Sequence, residues 1–263
     1  MTDNPCQRWR DGRDSYVVAS VRINPRDYEV AALDVTRAKA FVLQHHYSGS
    51  FPQASRRFGL WRGEELVGVA VYSYPWQHVV EASGLRFASA EVLELSRFVL
   101  LDNVPAYGET WFLARTREQL RAKDDFVAVI SFSDDQVRKS VDGHQVFGGH
   151  IGIIYQAFNA HYTGRGKKRT IRLFHDGSVF SDRCQTKIRR QEQGWEYSVE
   201  QLCSRGAPRP GRDIRSWLRT WRDILTRTMR HPGCHRYVWA LNRRVRRHLP
   251  ASQPYPKFGG QHG

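Results

Sequence analysis

The segment Phe126-Val-Ala-Val-Ile-Ser-Phe132 constrains the fold more than any other part of the chain. A near-continuous apolar run of this length fits a strand covered on both faces, as at the centre of an α/β sheet. Upstream stand an apolar strand expected over residues 93–101 and a turn with Pro105 and Gly108. A helical pattern from about Glu109 to Ala122 follows. Strand, Pro/Gly turn, helix and buried strand make a βαβ unit, which needs helices to cover the sheet.

The flanking sequence extends that sheet. A strand is expected at 28–33, and Asp34-Val-Thr36 supplies capping groups for a helix over about 37–45. Phe58-Gly-Leu-Trp61 and Leu66-Val-Gly-Val-Ala-Val-Tyr72, joined through Arg62-Gly-Glu64, read as a β-hairpin. Further on, a short helix is expected at 151–161. A second hairpin spans 170–174 and 178–180 around the turn-forming Asp176-Gly177. A helix over about 182–193 carries Arg183, Lys187, Arg189 and Arg190. Past a Pro/Gly linker at 206–211, an amphipathic helix is expected over 214–229, with Trp217, Leu218, Trp221 and Leu225 on its apolar stripe.

The net charge of +15 is distributed unevenly. Residues 161–263 hold 23 Lys and Arg against 7 Asp and Glu, whereas residues 1–160 hold 18 against 19. Solubility alone is served equally well by mixed signs, so a one-sided excess points to a polyanion, nucleic acid above all. No run of eighteen apolar residues exists and residues 1–14 are polar, so nothing is expected to cross a membrane. Cys6, Cys184, Cys203 and Cys234 are scattered without a Cys-x-x-Cys pair. They read as reduced thiols of a cytoplasmic protein.

Several residues could carry chemistry. The strand-turn-helix unit over 94–120 can offer backbone N–H groups and a helix N-terminus to a cofactor phosphate at Tyr107 and Gly108, or be an ordinary βα connection. His45-His46-Tyr47-Ser48 puts two imidazoles and a phenol at a helix end, but adjacent helical residues point apart, so one histidine at most is functional. Ser131-Phe-Ser-Asp134 closes the central strand, where ligands of open α/β sheets collect. Asp134 is either a metal ligand or general base, or a turn and capping residue. Arg97 in an apolar strand must be paired, by Glu94 or Asp134 structurally or by a phosphate functionally. Tyr155-Gln-Ala-Phe-Asn159 mixes rings that stack on bases with amides that read base edges; Tyr155 and Phe158 fit a core equally well. His231 and His235 flank Pro232-Gly-Cys234, but without a second cysteine pair they do not spell a zinc site.

Taken in order, His45-His-Tyr-Ser-Gly49, Phe58-Gly-Leu-Trp-Arg-Gly63, Leu66-Val-Gly-Val69, Leu93-Glu-Leu-Ser-Arg-Phe98, Ser131-Phe-Ser-Asp134, Ile154-Tyr-Gln-Ala157 and His231-Pro-Gly-Cys-His-Arg-Tyr237 resemble the Mom family of bacteriophage DNA modification proteins. The resemblance implies a GCN5-related N-acetyltransferase-like fold: an α/β mixed central sheet flanked by helices, here with a basic C-terminal extension. It implies transfer of a methylcarbamoyl, acyl-CoA-derived group to N6 of adenine in double-stranded DNA, which protects phage DNA from restriction. Acetyl-CoA and iron (Fe2+) are the implied cofactors. Carried onto this chain, His46 and Asp134 are candidate iron ligands, and Tyr47, Asp134 and Tyr155 candidate catalytic residues. Ser96 and Arg97 are candidate coenzyme contacts. The loop Asn103-Val-Pro-Ala-Tyr-Gly-Glu109 departs from the Arg/Gln-x-x-Gly-x-Gly/Ala pattern common in acetyltransferases. Adenine's exocyclic amine is a poor nucleophile, so either it or the donor must be strongly activated, for which a redox metal near the thioester is one route.

The expected organisation is a polar leader (1–14), a catalytic core (15–180) and a basic helical extension (181–263). Arg165, Lys167, Lys168 and Arg169, with Arg183, Lys187, Arg189 and Arg190, are the expected phosphate contacts. The setting is the cytoplasm, that of the host if phage-encoded. Two other readings remain: an N-acetyltransferase for a protein or small-molecule amine, and a non-catalytic basic DNA-binding protein.

Overall fold

The computed structural model describes residues 21–123 and 126–257, and the backbone of a hairpin formed by Cys6–Arg10 and Arg13–Val17. That hairpin occupies much of the expected polar leader; the remainder of residues 1–20, and the side chain of Cys6, lie outside the described residues. By its contacts the chain divides into two units. The first comprises residues 1–135, 148–166 and 234–263, and the second 136–147 and 167–233.

The first unit is a mixed α/β structure around a seven-stranded sheet. Its strands are β1 (Glu29–Ala32), β2 (Arg56–Arg62), β3 (Glu65–Ser73), β4 (Val92–Leu100), β5 (Ala128–Ser133), β6 (His161–Arg165) and β7 (His235–Ala240), in the spatial order β6-β7-β5-β4-β3-β2-β1. Helices α1 (Val35–His45), α2 (Gln77–Ala82), α3 (Gly108–Lys123), α4 (Ile153–Ala157) and α5 (Arg243–Arg246) complete it. Asp34 caps α1 by accepting from the Arg37 N–H at 2.9 Å, as its sequence position anticipates. Ala38, Phe41 and Val42 of α1 cover Val69, Val71 and Val99 on one face of the sheet. Phe112, Leu113 and Leu120 of α3 pack on the other, against Leu93, Leu95 and Val129. The hydroxyls of Tyr72 and Thr116 meet at 2.7 Å, satisfying the one polar tip that this face buries on β3.

Every pairing in this sheet is antiparallel except β4 with β5. Their parallel register runs from Val92–Ala128 to Leu95–Ser131 and stops there. At the same level β4 is irregular against β3: Val71 faces Arg97 and Tyr72 faces Leu95, so Ser96 is the extra residue of a bulge. A bulge bends its strand and re-aims the side chains beyond it. The two central strands therefore part beyond Leu95 and Ser131.

Strand β7 corrects the expected division at residue 180. His235–Ala240 pairs antiparallel with the whole of β5, so residues from the expected extension lie inside the seven-stranded sheet. The segment between is an insertion with its own core. There Val179–Phe180, Arg169–Phe174 and Thr226–His231 form a three-stranded antiparallel sheet, with helices Asp182–Arg190, Trp195–Cys203 and Ile214–Leu225. Phe174, Phe180, Ile188, Val199, Leu202, Trp217 and Leu218 fill it. The Asp-Gly hairpin forms as expected, with Gly177 at φ 82, whereas the helix expected to reach residue 229 ends at Leu225 and becomes a strand at Thr226. Arg-Thr-Met-Arg-His over 227–231 pairs along Arg169–Leu173, and this ladder overrides the helical periodicity. None of Cys184, Cys203 and Cys234 is in a disulfide. Among the described residues no helix is long and apolar enough to cross a membrane.

Candidate functional site

The parting of β4 and β5 brings three groups of polar side chains to the C-terminal end of β5, all within the first unit. The first group is built on the end of α1. His46 is the C-cap of that helix, its N–H donating to the Val42 carbonyl at 3.0 Å. Its ring stacks on Tyr47 at 4.2 Å, and Tyr47 meets His150 edge-on at 6.2 Å. Nδ1 of His46 accepts the Ser48 backbone N–H at 3.1 Å and lies 2.8 Å from the Ser48 hydroxyl. An imidazole that accepts at Nδ1 and stays neutral carries its proton on Nε2. Burial, then the nearby Arg97 and His150, hold the His46 pKa well below its ordinary value and keep it neutral.

Arg97 stands beside it, just past the bulge. Its Nε donates to the Ser50 carbonyl at 2.9 Å, Nη2 to the Ser50 hydroxyl at 2.8 Å and Nη1 to the Ser96 carbonyl at 2.6 Å. All three acceptors are neutral, and among the described residues no carboxylate forms an ion pair with this half-buried guanidinium. Neither Glu94 nor Asp134 supplies the structural pair that the sequence allows. Burial lowers the Arg97 pKa, with Tyr47 and Glu94 opposing, and burial raises that of Glu94, whose carboxylate takes the Ser96 hydroxyl at 3.3 Å. Arg97 is a cation held by dipoles, an arrangement suited to an anion from outside.

The second group lies past the end of β5. Asp134 is tied to the first group through its carbonyl, which accepts the His150 N–H at 2.7 Å. Asp135 receives both arms of Arg165, one at 3.0 Å, and stands 3.2 Å from Nε2 of His235. Nδ1 of His235 lies 2.9 Å from the Tyr162 hydroxyl. With His235 donating from Nε2 to the carboxylate, Nδ1 accepts from Tyr162, so one chain of hydrogen bonds fixes all four residues. Arg165 is thus committed to Asp135 inside the first unit, a correction to its expected place among the DNA-contacting cations. The sequence pattern assigns His235 no role; the signal for one is a histidine in a strand otherwise filled by Tyr237, Val238 and Trp239.

The third group lies under the parted strands. Ser131 and Ser133 have buried hydroxyls that lie beside the phenols of Tyr155 and Tyr237. Tyr155 is enclosed by Tyr237 at 5.4 Å and Trp239 at 6.0 Å, and burial pushes its phenol up to about 12. It belongs to the core, which corrects its expected catalytic placement: a phenol so buried neither reaches a duplex nor ionises near neutral pH.

The expected phosphate turn is also occupied by its own structure. The N–H of Ala106 donates to the Val21 carbonyl at 2.9 Å and that of Gly108 to the Pro105 carbonyl at 3.2 Å. A Cβ at Gly108 would lie 2.5 Å from Val104, so glycine is required there by packing. Tyr107, at φ 68, is exposed with the Arg22 guanidinium 5.3 Å over its ring.

In the second unit Lys167, Lys168 and Arg169 are exposed. Arg183 and Arg190 share Glu192, at 2.5 and 3.7 Å, and Arg189 donates to Thr186 at 3.1 Å. Lys187 is half-buried. This unit holds 18 Lys and Arg against 8 Asp and Glu.

The model of the Mom protein family matches residues 27–257, the full span of the seven-stranded sheet and the insertion. The chain belongs to the Mom protein family. Among solved structures, a tandem GNAT protein from the clavulanic acid biosynthesis pathway, determined without AcCoA, aligns with a TM-score of 0.43 at 10% identity, covering 82% of this chain and 99% of that one. No curated protein matches significantly.

In this Mom family chain the implied iron does not fit the pair His46 and Asp134. The donor atoms grouped around Asp134 do not include His46. Asp134 has a different donor beside it, the Cys234 thiol, their ligand atoms lying within 4.8 Å. No chemical step is derived through iron.

The depressed His46 pKa fixes the sign of a pH effect. Between the native and unfolded pKa values the unfolded chain binds the extra proton, so this contribution to stability is full above about 6.5 and is lost as pH falls below it. Thermal melts at pH 7.5 and 5.5 should show a smaller acid-induced loss for His46→Gln than for the unmodified chain. An equal loss in both would contradict a buried neutral imidazole.

Proposed function

We propose that this chain is a DNA-modifying transferase that uses acetyl-CoA as donor and places an acyl-CoA-derived group, methylcarbamoyl by the family resemblance, on N6 of adenine in double-stranded DNA. The observation that carries this reading is Arg97: a half-buried cation bonded to neutral oxygens at the point where β4 and β5 part. Membership of the Mom family and the basic insertion support the DNA side of the assignment.

The residues divide the work as follows. The opening beyond Leu95 and Ser131 admits the acyl thioester, where Arg97 and Ser96 hold the coenzyme. Neutral His46, protonated at Nε2, donates to the oxygen on which negative charge develops as the carbonyl is attacked. Adenine must leave the base stack to reach such a site, and Tyr47 offers an aromatic face for the extruded base. For transfer of the acetyl unit, the exocyclic nitrogen bonds to the thioester carbonyl carbon, the coenzyme departs as thiol, and Asp134 takes the proton that the amine loses; a methylcarbamoyl product contains one further nitrogen, which has to come from a separate amine donor. Lys167, Lys168 and Arg169 contact backbone phosphates, with Arg183, Lys187, Arg189 and Arg190 adding to the same field.

Nucleosides from cells expressing the chain should include a deoxyadenosine of raised mass, and Arg97→Ala should lower its yield about 10²-fold, the loss typical of removing one preorganised donor. Unchanged deoxyadenosine from the unmodified chain overturns the proposal; acetylated protein or small-molecule amines instead would assign it to that acceptor class.

Reversing Lys167, Lys168 and Arg169 to glutamate should weaken duplex binding and flatten the dependence of log K on log salt by about 0.9 for each phosphate that is no longer neutralised. An unchanged slope would remove these residues from the DNA interface.

A further inference from the structure

A second concave site lies at the opposite end of the sheet from Asp134. Ala240 pairs with Ala128 and His235 with Ser133, so the two ends of β7 stand about 16 Å apart at ~3.3 Å per residue. At the Ala240 end is a cavity of about 420 Å³, within the range of small-molecule sites. It lies wholly within the first unit.

The lining is chemically one-sided. Arg117 and Arg121 come from α3, Arg243 and Arg246 from α5, and no aspartate or glutamate lines the cavity. Among the described residues none of these four guanidiniums forms an ion pair. Four like charges around one concavity repel one another unless an anion joins them. Arg117 is the most telling of the four: its guanidinium carbon sits 5.0 Å over the Phe158 ring, and its Nε is buried without a hydrogen-bond partner. A buried guanidinium N–H left unsatisfied is costly, and the fork it belongs to matches phosphate oxygens.

Two aromatic side chains adjoin these charges, Trp239 5% exposed and Phe158 half-buried under the Arg117 guanidinium. Phe158 meets Trp239 edge-on at 5.7 Å, and both rings line the cavity. His161 also lines it; its Nδ1 lies 2.9 Å from the Pro250 carbonyl, so Nδ1 donates and the neutral ring keeps Nε2 as an acceptor. Guanidiniums for phosphate, the planar Arg117–Phe158 pair and an imidazole nitrogen together suit a nucleotide better than a bare anion.

We propose that this cavity binds a phosphorylated nucleoside, taken either as a free nucleotide or from a DNA strand. The site is separate from the transferase centre and does not depend on the reaction proposed there. Calorimetric titration of the full chain with AMP, adenosine 3′,5′-bisphosphate, inorganic phosphate and a short single-stranded oligodeoxynucleotide tests it. The paired variant Arg243→Ala, Arg246→Ala changes two exposed side chains on a short surface helix, and its thermal melt confirms that it is folded. A nucleotide should bind one to one, at least about 10-fold more tightly than inorganic phosphate, and the paired variant should bind at least about 10-fold more weakly; a 10-fold change corresponds to about 1.4 kcal/mol. If the oligonucleotide alone shows this behaviour, the site takes its nucleotide from DNA. Absence of binding by all nucleotide probes, binding unchanged in the folded variant, or phosphate binding as tightly as AMP overturns the proposal.

Discussion

The parallel pairing of β4 with β5, and its end at Leu95 and Ser131, is the constraint on which the rest depends. Parallel strands need cover on both faces, which α1 and α3 supply, and the apolar run over 126–132 follows from that burial. The Ser96 bulge turns β4 away at the level where the pairing stops. Backbone groups that a continuous parallel pairing would have satisfied are released there.

Around that opening the protein has arranged its charges selectively. Asp135 is neutralised internally by Arg165 and held by His235 and Tyr162, which anchors the chain leaving β5. Arg97 is treated in the opposite way, bonded to serine oxygens and not to a carboxylate. A paired cation is neutralised within its loop, whereas a cation held by dipoles keeps its charge. His46 completes the contrast, an imidazole kept neutral by burial and by the same Arg97.

The alternating and continuous apolar patterns made β1 to β5, α1 and α3 legible in the sequence, because each buries a face with the period of its own element. Strand β7 was not, since His235 and Arg236 interrupt its apolar pattern for reasons lying far away in sequence, at Asp135 and Thr163. The same long range hid the role of Arg165, which reads as one more member of a basic loop until Asp135 is seen beside it. His46, Tyr47 and Arg97 were recognisable as polar groups placed where an apolar sheet has no use for them. Tyr155 carried the same signal and belongs to the core, because residue type alone does not reveal that Tyr237 and Trp239 enclose it. Gly108 marked the turn, and packing on Val104 requires glycine there.

The proposed reaction joins one donor to one acceptor: carbon from an acyl-CoA to the N6 nitrogen of adenine. Expressing the chain in cells supplied with carbon-13 acetate and analysing their digested DNA by mass spectrometry tests both halves together. The expected product is a modified deoxyadenosine whose added group carries the label in proportion to the labelled acetyl-CoA pool. An adduct without label, or label attached to a different base, would contradict that reaction.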